Sequence, residues 1–211
     1  GTVIPGVRGK DGLVIADGEA ITKANSAFIG WYDGRITYAP GEVYTKARNV
    51  DFYAQYLTYD LSGYSGSVAP GVRGENGLTI ASADNIYKVG HTFQNWNTHQ
   101  NGIGTAYALG DVYSANKGIT LYPYFEPNKY NVTILSDNCN TTLNQNPATY
   151  GTVVAITTVS SAGYKLETFE VYRTDDPAVK VPLTGANTFV QPEYPVTVKP
   201  VLSKIPYAIE S

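Results

Sequence analysis

The chain carries one passage twice. Residues 1–17 read GTVIPGVRGKDGLVIAD, and residues 66–82 read GSVAPGVRGENGLTIAS. The offset of 65 residues persists at Phe28/Phe93 and Trp31/Trp96, then becomes 69 from Tyr38/Tyr107 through Gly41/Gly110, Val43/Val112, Tyr44/Tyr113, Val50/Ile119 and Tyr53/Tyr122. A single four-residue insertion after the second tryptophan accounts for the change. A period of this size means stacked or strung modules. Modules of about 60 to 70 residues lie near the lower limit at which an apolar core alone sustains folding, so each must pack efficiently or lean on a neighbour.

Composition narrows the rest. The chain has 211 residues, of which 16% are charged, and a net charge of -3. That leaves no electrostatic footprint for nucleic acid or an anionic membrane surface. No apolar stretch approaches the ~20 residues a membrane-spanning helix needs. Eighteen tyrosines against no methionine fit a β-rich, extracytoplasmic chain, and the missing initiator methionine reads as a mature or trimmed product. The lone Cys139 rules out an internal disulfide. It sits in the polar loop SDNCNTT with no adjacent His or basic residue to activate it, which reads as a tolerated small residue. The sequons at Asn131 and Asn140 matter only in a eukaryotic secretory pathway.

Each copy closes with an alternating segment. In NVDFYAQY, Val50, Phe52, Ala54 and Tyr56 share one face. In GITLYPYF, Ile119, Leu121, Pro123 and Phe125 do the same. Pro123 cannot donate to a ladder, which predicts an edge or a bulge there. The turns YAPGEVY and YALGDVY lead in, each with a Gly where a positive φ is cheap. Asp17 and Ser82 are each placed to cap a single helical turn. Before the second copy, Leu57–Val68 reads as an opening strand and turn, and the first copy has nothing equivalent because Gly1 already matches Gly66. The first module therefore starts one strand late, and its sheet is expected to expose an edge that invites self-association. After Pro127, the runs KYNVTIL, GTVVAITTV, YKLETFEVYR and YPVTVKPVL read as strands of a third, nearly all-β module.

In the second copy, Gly90, Phe93, Trp96, Gly102, Gly104, Tyr107, Gly110, Tyr113, Leu121 and Tyr122 follow a recognisable spacing. In the first, Phe28, Trp31, Tyr38, Gly41, Tyr44, Phe52, Tyr53 and Ala54 do. This pattern resembles the Listeria–Bacteroides repeat, also called the internalin B-repeat. Departures are His91 in place of a Tyr, Gln94-Asn95 before Trp96, and Tyr56/Phe125 in place of a final Trp. The third part resembles a divergent bacterial repeat at Gly151–Val154, Gly163–Leu166, Phe189, Pro192 and Val196–Val198. The resemblance implies a β-rich α+β fold: tandem, small β-grasp-like modules at 1–56 and 57–125, with a divergent, mostly β module at 126–211. It also implies a secreted or cell-surface bacterial protein, with the modules acting as stalk, spacer or adhesive unit.

Residues in patterns that carry chemistry are few. His91 and His99 lack a metal-ligand spacing. Gly63-Tyr-Ser65-Gly66 is one residue short of a nucleophile elbow. Asp175-Asp176 reads as a turn, and Gly102-x-Gly104 lacks the rest of a dinucleotide fingerprint. Arg8 and Arg73, in the two PGVRG loops, fit either a carboxylate ligand or a loop-anchoring hydrogen bond. Trp31 and Trp96 fit either sugar-stacking platforms or core, and recurrence at one register favours core. We therefore expect no catalytic residue, metal or cofactor. The residues best placed for a ligand surface are Asn95, Asn97, His99, Gln100, Asn101 and Arg73, with a host or surface protein or a glycan as partner. A carbohydrate-binding accessory region of a glycan-processing protein is the alternative.

Overall fold

The structure, a computed structural model, describes residues 8–18, 21–71 and 73–206. Among these every regular element is a β-strand, so the expected α+β character gives way to an all-strand fold. After Ser82 there is a tight turn in which the Ile86 N–H donates to the Ala83 carbonyl at 3.1 Å. A segment this short cannot offset the cost of nucleating a helix. The corresponding stretch after Asp17 includes Glu19 and Ala20, and the C-terminal tail runs past Pro206; both reach outside the described residues.

The first copy supplies β1 (Arg8–Gly9), β2 (Gly12–Val14), β3 (Ser26–Tyr32), β4 (Thr37–Tyr38), β5 (Val43–Tyr44) and β6 (Tyr53–Tyr59). The second supplies β7 (Ser65–Gly66), β8 (Arg73–Gly74), β9 (Gly77–Thr79), β10 (Ile86–Tyr87), β11 (His91–Asn97), β12 (Ala106–Tyr107), β13 (Val112–Tyr113) and β14 (Ile119–Pro127). Each copy builds a small three-stranded sheet, β1-β2-β5 and β8-β9-β13, and the second adds the ladder β7-β10. The turn leading to the closing strand is duplicated down to its hydrogen bonds. Gly41 and Gly110 both sit at φ 81°. Their N–H groups donate to the carbonyls of Ile15 and Ile80 at 3.0 and 3.1 Å. Each turn is also capped by a carboxylate, Glu42 on Ala39 N–H and Asp111 on Ala108 N–H.

The long strands of both copies merge into one six-stranded sheet, ordered β12-β11-β14-β6-β3-β4. Its hinge piece is β6, which runs unbroken from the closing segment of copy one into the opening segment of copy two. Alternate residues of one strand face opposite sides of a sheet, and here the two sides serve different copies. Ala54 and Tyr56 pair with Trp31 and Phe28 of β3, and the Phe28 ring meets Trp31 and Tyr56 edge-on at 5.4 and 5.8 Å. This is the side of the small core of Ile15, Tyr38 and Tyr44. Leu57 and Tyr59 point the other way, into the larger core with Trp96, Leu78, Ile80 and Leu121. Ala27 and Ile29 of β3 join that second core although they belong to copy one. The two copies therefore form one compact unit on opposite faces of a shared sheet.

Strand β14 pairs in parallel with β6 only from Ile119 to Leu121, so the ladder with β6 ends before Pro123. Pro123 lies in an interior strand rather than at a sheet edge, and the short β6 ladder makes it tolerable there.

The second compact unit comprises Val89–Thr92 and residues from Glu126 onward. It contains β15 (Lys129–Tyr130), β16 (Val132–Ile134), β17 (Cys139–Leu143), β18 (Ala148–Thr149), β19 (Val153–Ser160), β20 (Tyr164–Arg173), β21 (Asp176–Lys180), β22 (Leu183–Gly185), β23 (Thr188–Val190) and β24 (Val196–Lys204). The order β16-β24-β20-β21 repeats β6-β14-β11-β12, and β17-β19-β23 repeats β8-β9-β13. The opening and closing strands are parallel in both, Val132–Ile134 against Val196–Val198 as Leu57–Tyr59 lies against Ile119–Leu121. Even the bulge recurs: it falls at Phe28/Gly30 in β3 and at Leu166/Thr168 in β20. Val154, Phe189, Val196 and Val198 are fully buried in this unit's core.

Candidate functional site

The four-residue insertion resolves to one hairpin loop. Trp31 pairs with Tyr38 and Tyr32 with Thr37 in copy one; Trp96 pairs with Tyr107 and Asn97 with Ala106 in copy two. The strand register is unchanged, and the extra length falls wholly within residues 98–105. Asn97 organises this loop from inside. Its side chain is buried, its Oδ1 accepts the N–H groups of His99 and Gly104 at 3.0 and 2.9 Å, and its Nδ2 donates to the Gly102 carbonyl at 3.2 Å and to Asn95 Oδ1 at 3.3 Å. Thr98 and Thr105 tie the base together. Gly102 lies against the Tyr124 ring and Gly104 against Thr98 Oγ1, so closely that a Cβ at either would collide.

Of the residues expected to form a ligand surface, His99, Gln100 and Asn101 are exposed at the tip, Asn95 is half-buried, and Asn97 is enclosed. Ile103, which sequence reasoning did not single out, stands 77% exposed beside them. The tip therefore offers an imidazole, two carboxamides and one apolar side chain on a loop held by its own hydrogen bonds.

Arg73 lies elsewhere, in an anchoring position. Its Nη1 donates to the Ile29 carbonyl at 2.9 Å and its Nη2 to Asn116 Oδ1 at 3.1 Å. Ile29 is the extra residue of the β3 bulge, so its carbonyl is displaced from the regular ladder and open to a side-chain donor. Arg73 thus joins β8 of copy two to β3 of copy one.

In the shorter loop of copy one, Asp33 does the organising. Its side chain is wholly buried and accepts N–H groups from Ile36 and Arg35, both at 2.9 Å. Lys46 and Arg48 approach its other oxygen at 3.3 and 3.0 Å. The Ile36 amide bond is the main force holding the carboxyl well below the usual carboxylate range; burial opposes it, and Arg35 and Lys46 reinforce it.

Both tryptophans make the same hydrogen bond, Trp31 Nε1 to the Ala16 carbonyl at 2.9 Å and Trp96 Nε1 to the Ala81 carbonyl at 3.0 Å. Trp96 is fully buried and Trp31 half-buried. Neither is an exposed sugar platform.

The second unit holds a feature its sequence did not announce. Tyr150, Pro182, Pro192 and Tyr194, with Lys180 and Glu193, line a groove of about 380 Å³. Buried Gln191 forms part of its wall, with Nε2 donating to the carbonyls of Pro192 and Tyr194 at 3.2 and 2.9 Å. His91 is half-buried, edge-on to Tyr150 at 5.6 Å. Among the described residues no group of His, Cys, Asp and Glu is arranged to hold a metal ion, and no helix is long and apolar enough to cross a membrane.

Comparison with known proteins agrees with the internal repeat. A protein of Evansella cellulosilytica, provisionally named a membrane protein, is 25% identical over 179 residues, covering 79% of this chain and 25% of that protein. A second protein of the same organism, provisionally named a Gly-rich membrane protein, is 28% identical over 161 residues, covering 67% of this chain and 18% of its own length. The chain thus spans at most about a quarter of the curated relatives it matches. No solved structure is significantly similar. The model of the Listeria-Bacteroides repeat domain matches residues 6–55 and 56–123, more than half of the chain. With two tandem matches that meet at Gln55/Tyr56 inside the shared strand, the chain belongs to the Listeria–Bacteroides repeat family.

Proposed function

We propose that this chain is a non-catalytic repeat region of a secreted or cell-surface bacterial protein, acting as a stalk or spacer. The observation that carries this reading is β6. A linker between modules would permit independent motion, whereas one strand shared by two cores forbids it. The surroundings support it: the polar side chains with the strongest geometry, Asn97, Asp33 and Arg73, are engaged in holding loops and bulges. The family membership and the relatives named as membrane proteins fit a surface location. The parallel opening and closing strands fit a β-grasp-like module without its helix, and the repeated topology of the second unit fits a divergent third copy.

The test is backbone relaxation by NMR on the full chain. The spacer reading expects copies one and two to share one rotational correlation time, and separate values would overturn it. A second reading, adhesion through the His99–Ile103 tip, is favoured by one observation, the exposed Ile103 within a rigid polar loop. Glycan and host-protein arrays decide between them. Saturable binding that is lost in a His99→Ala, Gln100→Ala, Ile103→Ala variant supports adhesion, and background binding only supports the spacer. An accessory carbohydrate-binding role would show as glycan binding alone.

A further inference from the structure

The groove of the second unit is walled by three segments that the chain's own hydrogen bonds hold in place. They are Tyr150-Gly151 after β18, residues 180–182 at the end of β21, and residues 191–194 between β23 and β24. The Gly151 N–H donates to the Gln191 carbonyl and the Gln191 N–H to the Thr152 carbonyl, both at 2.9 Å. The Val181 N–H donates to the Val171 carbonyl at 2.8 Å. The Gln191 side chain fastens the carbonyls of Pro192 and Tyr194 from within. The Tyr194 ring lies against the Arg173 guanidinium at 5.0 Å, and that guanidinium forks onto Asp175 at 2.6 and 3.1 Å. Walls fixed in this way lose little freedom when something binds between them.

The lining narrows the class of ligand. Tyr150, Pro182, Val190, Pro192 and Tyr194 present rings and aliphatic carbon. A sugar needs several side chains that fork onto its hydroxyls, and the one carboxamide among the described lining residues, Gln191, is buried and donates to its own loop. A polyproline II segment has the opposite needs. Its prolines carry no N–H, it is extended before it binds, and its carbonyls make no internal hydrogen bonds. The hydroxyls of Tyr150 and Tyr194 donate to no described residue, which leaves them able to meet such carbonyls. Charge adds a direction. Lys180 lies 3.9 Å from Glu170 and over the Tyr172 ring at 4.9 Å, and Arg173 is paired with Asp175. Glu193, exposed, forms no ion pair among the described residues.

We propose that this groove binds a proline-rich peptide segment in the polyproline II conformation, with a lysine or arginine beside its prolines. The ligand's prolines pack against the rings of Tyr150, Pro192 and Tyr194, the tyrosine hydroxyls donate to its carbonyls, and Glu193 pairs with its cation. Aromatic-lined grooves that read prolines by shape and a flanking cation by charge are a general mode of peptide recognition. The inference does not depend on the spacer reading, since a stalk and an adhesive array can each carry such a groove.

The test is an NMR titration of the isotope-labelled full chain with a synthetic decapeptide of proline carrying one central lysine. The expected result is a saturable shift of the Gly151, Gln191, Glu193 and Tyr194 amides. A Gly/Ser decapeptide with the same lysine should leave them unmoved. Replacing the lysine by glutamate should weaken binding by roughly two- to fivefold, the size of one exposed ion pair. Tyr194→Ala should lose roughly tenfold or more in affinity. Because that variant removes a ring packed on the core, the exposed Glu193→Lys variant supplies a second test, and it should reverse the preference between the lysine and glutamate peptides. Absence of a saturable shift overturns the proposal, as do equal shifts from the Gly/Ser peptide, shifts confined to other surfaces, or a charge preference that Glu193→Lys leaves unchanged. Chitotetraose moving the same amides as strongly as the proline peptide would also overturn it, in favour of a glycan subsite.

Discussion

Tyr59 and Trp96 are bound to the same residue, Ala81, from its two sides. The Ala81 N–H donates to Tyr59 Oη at 2.7 Å, and its carbonyl accepts Trp96 Nε1 at 3.0 Å. Both rings are almost completely buried, and burial pushes the Tyr59 hydroxyl up in pKa against the opposing Ala81 bond. Tyr59 reaches this position only because β6 continues past the end of copy one. The core of the second copy is closed by the strand that finishes the first.

Removing that ring should be severe. Tyr59→Ala is expected to cost about 3–5 kcal/mol, in line with other buried aromatic truncations. Tyr59→Phe keeps the ring and leaves the Ala81 N–H without its acceptor, for about 1–3 kcal/mol. Urea denaturation of the full chain measures both, and Trp31→Ala should cost less than Trp96→Ala because Trp31 is less buried.

Asn97→Ala should uncouple the long loop without unfolding the sheet. Loss of its carboxamide leaves the His99 and Gly104 N–H groups unpartnered inside the loop, at about 1–3 kcal/mol. Amide exchange should rise across residues 98–105, while Trp96 emission stays unchanged.

The alternation within the second closing segment was legible in sequence, where Leu121, Pro123 and Phe125 are buried as a set, whereas the first closing segment is a strand only from Tyr53 and its Val50, Phe52, Ala54 and Tyr56 are half-buried. So was the glycine turn at Gly41 and Gly110. The fusion through β6 was not. Tyr56 and Leu57 are adjacent apolar residues, which reads as a break between two strands. In the structure it is where one strand changes the copy its apolar face serves. Asn97 stood in a run of polar residues, and spacing alone cannot distinguish a buried carboxamide from exposed ones. The partners of Arg73, Ile29 and Asn116, lie 44 and 43 residues away, and no local pattern marks either. A bulge carbonyl in need of a donor emerges only once the register is known.

Arg73→Lys tests the anchor. One ammonium cannot reproduce the forked contact to the Ile29 carbonyl and Asn116, and the expected loss is about 1–2 kcal/mol. Amide exchange should quicken around the β3 bulge as well as in β8, which carries residue 73. A response confined to β8 would contradict the anchoring role.

Asp33 gives the chain an acid-sensitive element. Its folded carboxyl titrates below its unfolded value, so its stabilisation is complete above about pH 4 and fades as pH falls toward the folded value. Asp33→Asn should lower Tm at pH 7, and the gap from wild type should narrow progressively below about pH 4. A gap independent of pH from 7 to 2.5 would show that the ion cluster contributes nothing.

Two sequence repeats fold as one body because they share β6, whose two faces serve both cores. Native-state hydrogen exchange in increasing urea reads this coupling out. Amides of β3, from copy one, and β14, from copy two, should converge on one unfolding isotherm with the same free energy and the same urea dependence. Two separate isotherms, with β14 opening while β3 stays protected or the reverse, would contradict it.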